Sequence, residues 1–457
     1  MGKDTKEYTK EVANYVKDLE YKDVPHGVVQ QAKIVLMDTI GVMLAASSPR
    51  YLANRVMIEF VKRLGGKGEA TVVGSDFKTS CVNAALANGT MANNIELDDS
   101  HPKSGAHVAA VIIPSALAIG EREKVDGKKL ITSLIVGYDV DVRVVLGLNP
   151  SSLYKRGFHP SAIGGCFGSM ATAGKILDLD LDALIRGFGL AGSQASGLMA
   201  WETDPTQMPK SFQMGLAASN GIRAALLAQG GFSGPPAIFE GRYGVFGAFS
   251  DEYNLNELTE DLGKRFEITL TGLKRYACCK FLHASLDSFL GIMHEHDLDP
   301  EEIDEIIVRI PPPGVPIINN NDLISHNAQY IIAVAAFDRS VTVDHIYEDR
   351  RVDSKVSSLS RRIKVVGDPE LAKVFPGFFS EPAVVEVLMK NGERFLKRTD
   401  HPKGDPGNPL NKKEVENKFL TLSKTVIDEE DAMNIMGMID DLENVEDISE
   451  LCDMLRR

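Results

Sequence analysis

The run Ala32-Lys33-Ile34-Val35-Leu36-Met37-Asp38-Thr39-Ile40-Gly41-Val42-Met43-Leu44-Ala45-Ala46 decides the fold class of this chain. It is apolar at nearly every position, too long for a strand, and opened by Pro25, a residue suited to the first turn of a helix. A helix with apolar side chains all round is buried, so this element predicts a helical core surrounding it. Further helices are predicted over 8–19, 51–64, 80–93, 108–123, 128–147, 161–176, 179–190 and 210–229. Small residues dominate several of these, as in Ala84-Ala85-Leu86-Ala87-Asn88-Gly89 and Ala217-Ala218-Ser219-Asn220-Gly221. They allow helix axes to approach closely.

The texture changes near residue 265. Ile303-Asp304-Glu305-Ile306-Ile307-Val308-Arg309-Ile310 reads as a strand ended by Pro311-Pro312-Pro313, and Val384–Met389 with Glu393–Arg398 reads as a hairpin around Asn391-Gly392. Residues 266–400 are therefore expected to form an α+β insertion. Asn411 to Glu414 resembles a capping box, and the helices of 401–457 are expected to rejoin the first domain, 1–265. The predicted class is mainly α, a large all-helical domain carrying an inserted α+β domain.

With 457 residues, 44% hydrophobic and 25% charged, the chain can bury a sizeable core. Its formal charge of −14 and lack of a basic block argue against nucleic acid and an anionic membrane surface as partners. Five scattered cysteines without CxxC spacing suggest a reducing, cytoplasmic setting. The N-terminus is too polar and acidic for a signal peptide, and no apolar stretch is expected to reach the length of a membrane span.

Chemistry is concentrated in Glu96-Leu97-Asp98-Asp99-Ser100-His101-Pro102-Lys103-Ser104-Gly105-Ala106-His107, directly before the apolar run from Val108 to Ala118. Carboxylates, hydroxyls and imidazoles in one segment at the start of a buried helix suit an acid/base site. Metal binding and plain helix capping are the alternatives, although no zinc or calcium ligand spacing is present. In Lys155-Arg156-Gly157-Phe158-His159-Pro160, His159 precedes a glycine-rich helix start beside two cations. Lys210, among apolar residues, calls for an anionic partner. Lys274 and Arg275 open Lys274-Arg275-Tyr276-Ala277-Cys278-Cys279-Lys280-Phe281-Leu282-His283 at the predicted domain boundary. Gly187-Phe188-Gly189-Leu190-Ala191-Gly192 matches a dinucleotide fingerprint but follows an amphipathic helix instead of the required strand, and is set aside. Adjacent Cys278 and Cys279 read as small buried thiols more readily than as a nucleophile.

These motifs resemble the MmgE/PrpD family over roughly residues 20–450: Leu36–Gly41, the acidic cluster, Gly157–Pro160, Lys210–Gly215, Lys274–His283 and Gly407–Phe419. The resemblance implies a helical domain made by both ends of the chain, an inserted α+β lid domain, a homodimer and a site between domains that needs no cofactor or metal. It places Glu96, Ser100, His107, His159, Lys210, Lys274 and Tyr330 in that site, with Arg275, Cys279 and His283 beside them and a small polycarboxylate as substrate. Relative to the family's cis-aconitate decarboxylases, Glu96 replaces Asp, Ser100 replaces Thr, and Gln213 and Cys279 each replace His. These departures turn the expectation from decarboxylation towards dehydration of a 2-methylcitrate-like hydroxy acid. On this reading His107 is acid or base, Asp98 or Asp99 sets its tautomer, and Tyr330 or Ser100 assists proton transfer. The alternatives are an iminodisuccinate-like epimerase, a decarboxylase and a tricarboxylate-binding protein without activity.

Overall fold

The computed structural model describes residues 6–374 and 381–457 and is mainly α. Residues 1–5, which carry part of the N-terminal reading, lie outside the described residues. The opening run forms helix His26–Ala46, with Pro25 at its N-cap, and sixteen of its residues are buried. This helix is long and apolar enough to cross a membrane, contrary to expectation, yet 83% of its most apolar window is covered by other parts of the chain. Buried Asp38 accepts an ion pair from Lys418 at 2.8 Å, which joins it to the late helix Lys412–Ser423. Gly41 makes room for the same helix, because a Cβ there would stand 3.2 Å from the Cα of Phe419.

Helices Cys81–Asn94, Ala109–Glu123, Gly127–Gly147, Pro160–Ile176 and Met208–Gln229 complete the main core. Side-chain caps fix two of their starts: Ser80 accepts from the Asn83 amide at 3.3 Å and Asp126 from the Lys129 amide at 2.7 Å. Glycine permits the tightest crossing. A Cβ on Gly215 would lie 2.1 Å from the carbonyl oxygen of Leu86, and one on Gly89 would lie 2.8 Å from the Cα of Gly215. The predicted helix over 179–190 is displaced to Leu181–Gly192, where the Asp180 side chain supplies the cap.

A second hydrophobic cluster is built from residues between Tyr276 and Met389. Helices His283–Glu295 and Ala328–Asp338 pack with a four-stranded sheet ordered Ile363–Gly367, Ile303–Ile310, Ala383–Met389, Arg394–Thr399. The first pair is parallel and the others antiparallel. Gly392 takes φ +89° in the predicted hairpin turn. Entry and exit of this part run side by side. Leu273 donates its amide to the Gly404 carbonyl at 2.8 Å, while Gly272 and Leu273 pair with Ser100 and Asp99. That short ladder brings the acidic segment against Lys274.

Candidate functional site

Glu96 stands where the chain leaves helix Cys81–Asn94. Its φ of +55° is a left-handed conformation that costs a non-glycine residue roughly 1–2 kcal/mol and persists only when surroundings fix it. Its side chain provides that fixation. Oε1 accepts hydrogen bonds from Lys210 Nζ and Gln207 Nε2, and Oε2 accepts one from Lys274 Nζ at 2.6 Å. Burial opposes the charge on Glu96, but Lys210 and Lys274, with smaller contributions from His326 and His107, hold its carboxyl well below the usual range.

Asp98 extends this cluster. Its Oδ1 accepts from Lys274 at 3.0 Å, and its Oδ2 accepts from Asn93 Nδ2 at 2.7 Å and lies 3.0 Å from His107 Nδ1. His107 Nδ1 is also 2.9 Å from the Asp99 carbonyl oxygen. Two acceptors therefore face Nδ1, which makes it the protonated nitrogen and leaves Nε2 for other chemistry. Burial is again outweighed at Asp98, chiefly by Lys274 and then His107, and its carboxyl is depressed.

His159 has the opposite surroundings. Its Nδ1 lies 2.7 Å from Gln213 Oε1, and Gln213 spends its amide nitrogen on the Leu198 carbonyl at 2.9 Å. The amide oxygen must accept, so His159 carries its proton on Nδ1 and presents a bare Nε2. Burial pushes its pKa down to about 3 despite the bond from Gln213, so the ring is neutral. Burial also brings His326 down to about 3, with Lys210 adding to the effect. Trp201 lies between these two rings, its centroid 5.5 Å from His159 and 5.6 Å from His326, while Lys210 Nζ sits 5.2 Å from the indole.

Glu96, Ser100, His107, His159, Lys210 and Cys279 line one cavity of about 50 Å³ between the helical core and the α+β part. That space has room for roughly three or four water molecules. Sequence reasoning missed several further lining groups: Trp201, His326, and the pair Lys280 and Glu381. Trp201, His326 and Glu381 are single residues in connecting segments with no local pattern to mark them, and Lys280 is one of three cations in the Lys274–His283 motif, with nothing local to distinguish it.

Other residues expected in the site lie elsewhere. Lys274 is fully buried behind Glu96 and Asp98 and acts on the cavity through them. Asp99 accepts from the Ala109 amide and from the hydroxyls of Tyr138 and Thr271, all at 2.9 Å, so it secures a helix start. Burial and the neighbouring Asp98 raise its carboxyl to about 7. Tyr330 donates its hydroxyl to the His345 carbonyl at 2.7 Å and accepts from the Arg350 amide at 3.2 Å, away from the cavity, so it ties its own helix to helix Val343–Tyr347 and the segment after it. Arg275 is exposed, stacks on Tyr276 and pairs loosely with Asp287. His283 is buried against the Tyr276 ring, and burial holds it well below the ordinary histidine range. Cys279 reaches the cavity, but burial pushes its thiol up to about 12, which leaves it a poor nucleophile at neutral pH. Among the described residues no cluster of three or more histidine, cysteine or carboxylate side chains is arranged to hold a metal ion.

Comparison with known proteins agrees with this architecture. The MmgE/PrpD N-terminal domain matches residues 10–258 and the MmgE/PrpD C-terminal domain matches residues 276–444. Similar full-length proteins include a cis-aconitate decarboxylase-like protein of Aspergillus oryzae, 29% identical over 97% of this chain and 96% of its own length. The cis-aconitate decarboxylase of Aspergillus terreus is 24% identical over 98% and 95%, and that of Homo sapiens 25% identical over 99% and 95%. With both domain types matched in order around a cavity that both help to line, the chain belongs to the MmgE/PrpD family.

Proposed function

We propose that the protein is a lyase that dehydrates a small β-hydroxy polycarboxylate of the 2-methylcitrate type. The observation that carries this reading is the contrast between the two cavity histidines. His159, held at Nδ1 by Gln213, has a free Nε2 lone pair as acceptor; His107, held at Nδ1 by ionised Asp98, has Nε2 left for proton transfer. Dehydration needs this division of labour. His159 Nε2 takes the proton α to a carboxylate, the electron pair forms the carbon–carbon double bond, and the β-hydroxyl leaves as water with the proton from His107. Charge that develops on the adjacent carboxylate during the first step falls near Lys210, and one such preset donor contributes about 3 kcal/mol. Lys274 and Asp98 serve as positioning groups for Glu96 and His107.

Decarboxylation of a cis-aconitate-like acid is the second reading, favoured by the names of the relatives. It requires a proton donor for the carbanion but no base, so the lock on His159 would have no task in it. Proton NMR of purified protein with 2-methylcitrate, citrate and cis-aconitate separates the two. Loss of water from a hydroxy acid, abolished by both His159→Ala and His107→Ala, is the expected result. Release of carbon dioxide from cis-aconitate with His159→Ala fully active would refute dehydration.

A further inference from the structure

Lys210 and Lys274 are already engaged by Glu96 and Asp98, so two ammonium groups meet two carboxylates and that cluster is close to neutral. A polycarboxylate needs additional positive charge. On the α+β side of the same cavity, Lys280 opens the short turn Lys280–Leu282, and its ammonium lies 3.2 Å from Glu381 Oε2. Both side chains are only 6% exposed. Among the described residues neither Lys280 Nζ nor Glu381 Oε2 has a well-aligned hydrogen-bond partner, so the contact is chiefly ionic. An ammonium buried beside one poorly aligned carboxylate oxygen is costly, and so is that oxygen without a well-aligned donor. Burial pushes the Glu381 carboxyl up to about 7 against the pull of Lys280, so this partner gives up its charge readily. The remaining lining carboxylate, Glu202, is exposed to solvent at the rim.

We propose that Lys280 is a specificity-determining residue that receives a third substrate carboxylate on the α+β side of the cavity, with Glu381 giving way to it. The ligand then supplies Lys280 with aligned acceptors, and the enzyme selects tricarboxylates over dicarboxylates of the same chain length. This rests on the polycarboxylate reading above, but it concerns one contact and leaves the division of work between His107 and His159 unchanged.

Calorimetric titration with tricarballylate and with glutarate, which lacks the central carboxylate, tests it without turnover. Wild-type protein should bind tricarballylate more tightly than glutarate. Lys280→Met should weaken tricarballylate about tenfold to a hundredfold, the loss of one charged hydrogen bond, and leave glutarate within about twofold. Glu381→Gln, which removes the competitor, should tighten tricarballylate. Lys280→Met/Glu381→Gln removes both buried charges, keeps the fold in reserve if the single variant is unstable, and should show the same loss of selectivity. Wild-type binding with no change in either Lys280 variant, or equal weakening of both ligands, would overturn this assignment alone. Failure of wild-type protein to bind either ligand would overturn the polycarboxylate reading with it.

Discussion

Replacing Asp98 by Asn removes a charge while preserving shape, and every partner of this carboxylate is a donor. Lys274 Nζ meets Oδ1 at 3.0 Å, while Asn93 Nδ2 meets Oδ2 at 2.7 Å and His107 Nδ1 lies 3.0 Å from it. The amide introduced by Asp98→Asn must turn its NH2 either to Lys274 or to His107 and Asn93, so one donor faces another in either orientation. Loss of one partner from a buried ion cluster costs about 3–5 kcal/mol, which urea unfolding should register as a lower midpoint. His107 also loses the carboxylate that orients its ring through Nδ1, and kcat should fall about 10²- to 10⁴-fold. The acid limb of stability gives a second readout. Asp98 is depressed in the folded protein, so its contribution is present above the unfolded value of about 3.9 and is lost as pH falls below it. Wild-type protein should lose stability more steeply than Asp98→Asn in that range. An Asp98→Asn enzyme with kcat within about twofold of wild type and an unchanged midpoint would refute the reasoning.

Gln213→Glu places a carboxylate on His159 Nδ1, raises that histidine from about 3, and should move the acid limb of kcat/KM to higher pH because the base is then protonated over a wider range. Gly215→Ala drives a Cβ into the Leu86 carbonyl and should destabilise by about 1–3 kcal/mol or more, seen as a lower urea midpoint with KM unchanged in the folded fraction. Cys279→Ser should keep kcat within a few-fold of wild type, since a thiol pushed up to about 12 supplies no thiolate; total loss of turnover would point to covalent catalysis.

Elements with a local signature were legible in the sequence. The apolar run of helix His26–Ala46, the small-residue helices around Gly89 and Gly215, and the Asn391-Gly392 hairpin all declare themselves through side-chain pattern or turn chemistry. Strand Ile363–Gly367 did not, because it is a short edge strand with Lys364 and Val366 outward, and its parallel partner is distant in sequence. The site divides in the same way. Glu96, His107, His159 and Lys210 stand in dense motifs, whereas Glu381 and His326 are isolated polar residues, and Lys280, though inside the Lys274–His283 motif, takes its meaning like them from apposition across the cavity. Tyr330 shows the converse case, a residue placed in the site by resemblance whose hydroxyl is committed to the His345 carbonyl.

If His159 and His107 act on one polycarboxylate as base and acid, a crystal structure with tricarballylate, which resembles the substrate but has no hydroxyl to lose, should capture both at work. The ligand should lie in the cavity with a methylene carbon about 3–3.5 Å from His159 Nε2 and with His107 Nε2 directed at the adjacent carbon. Tricarballylate bound elsewhere, or bound with both Nε2 atoms turned away from its carbon chain, would contradict it.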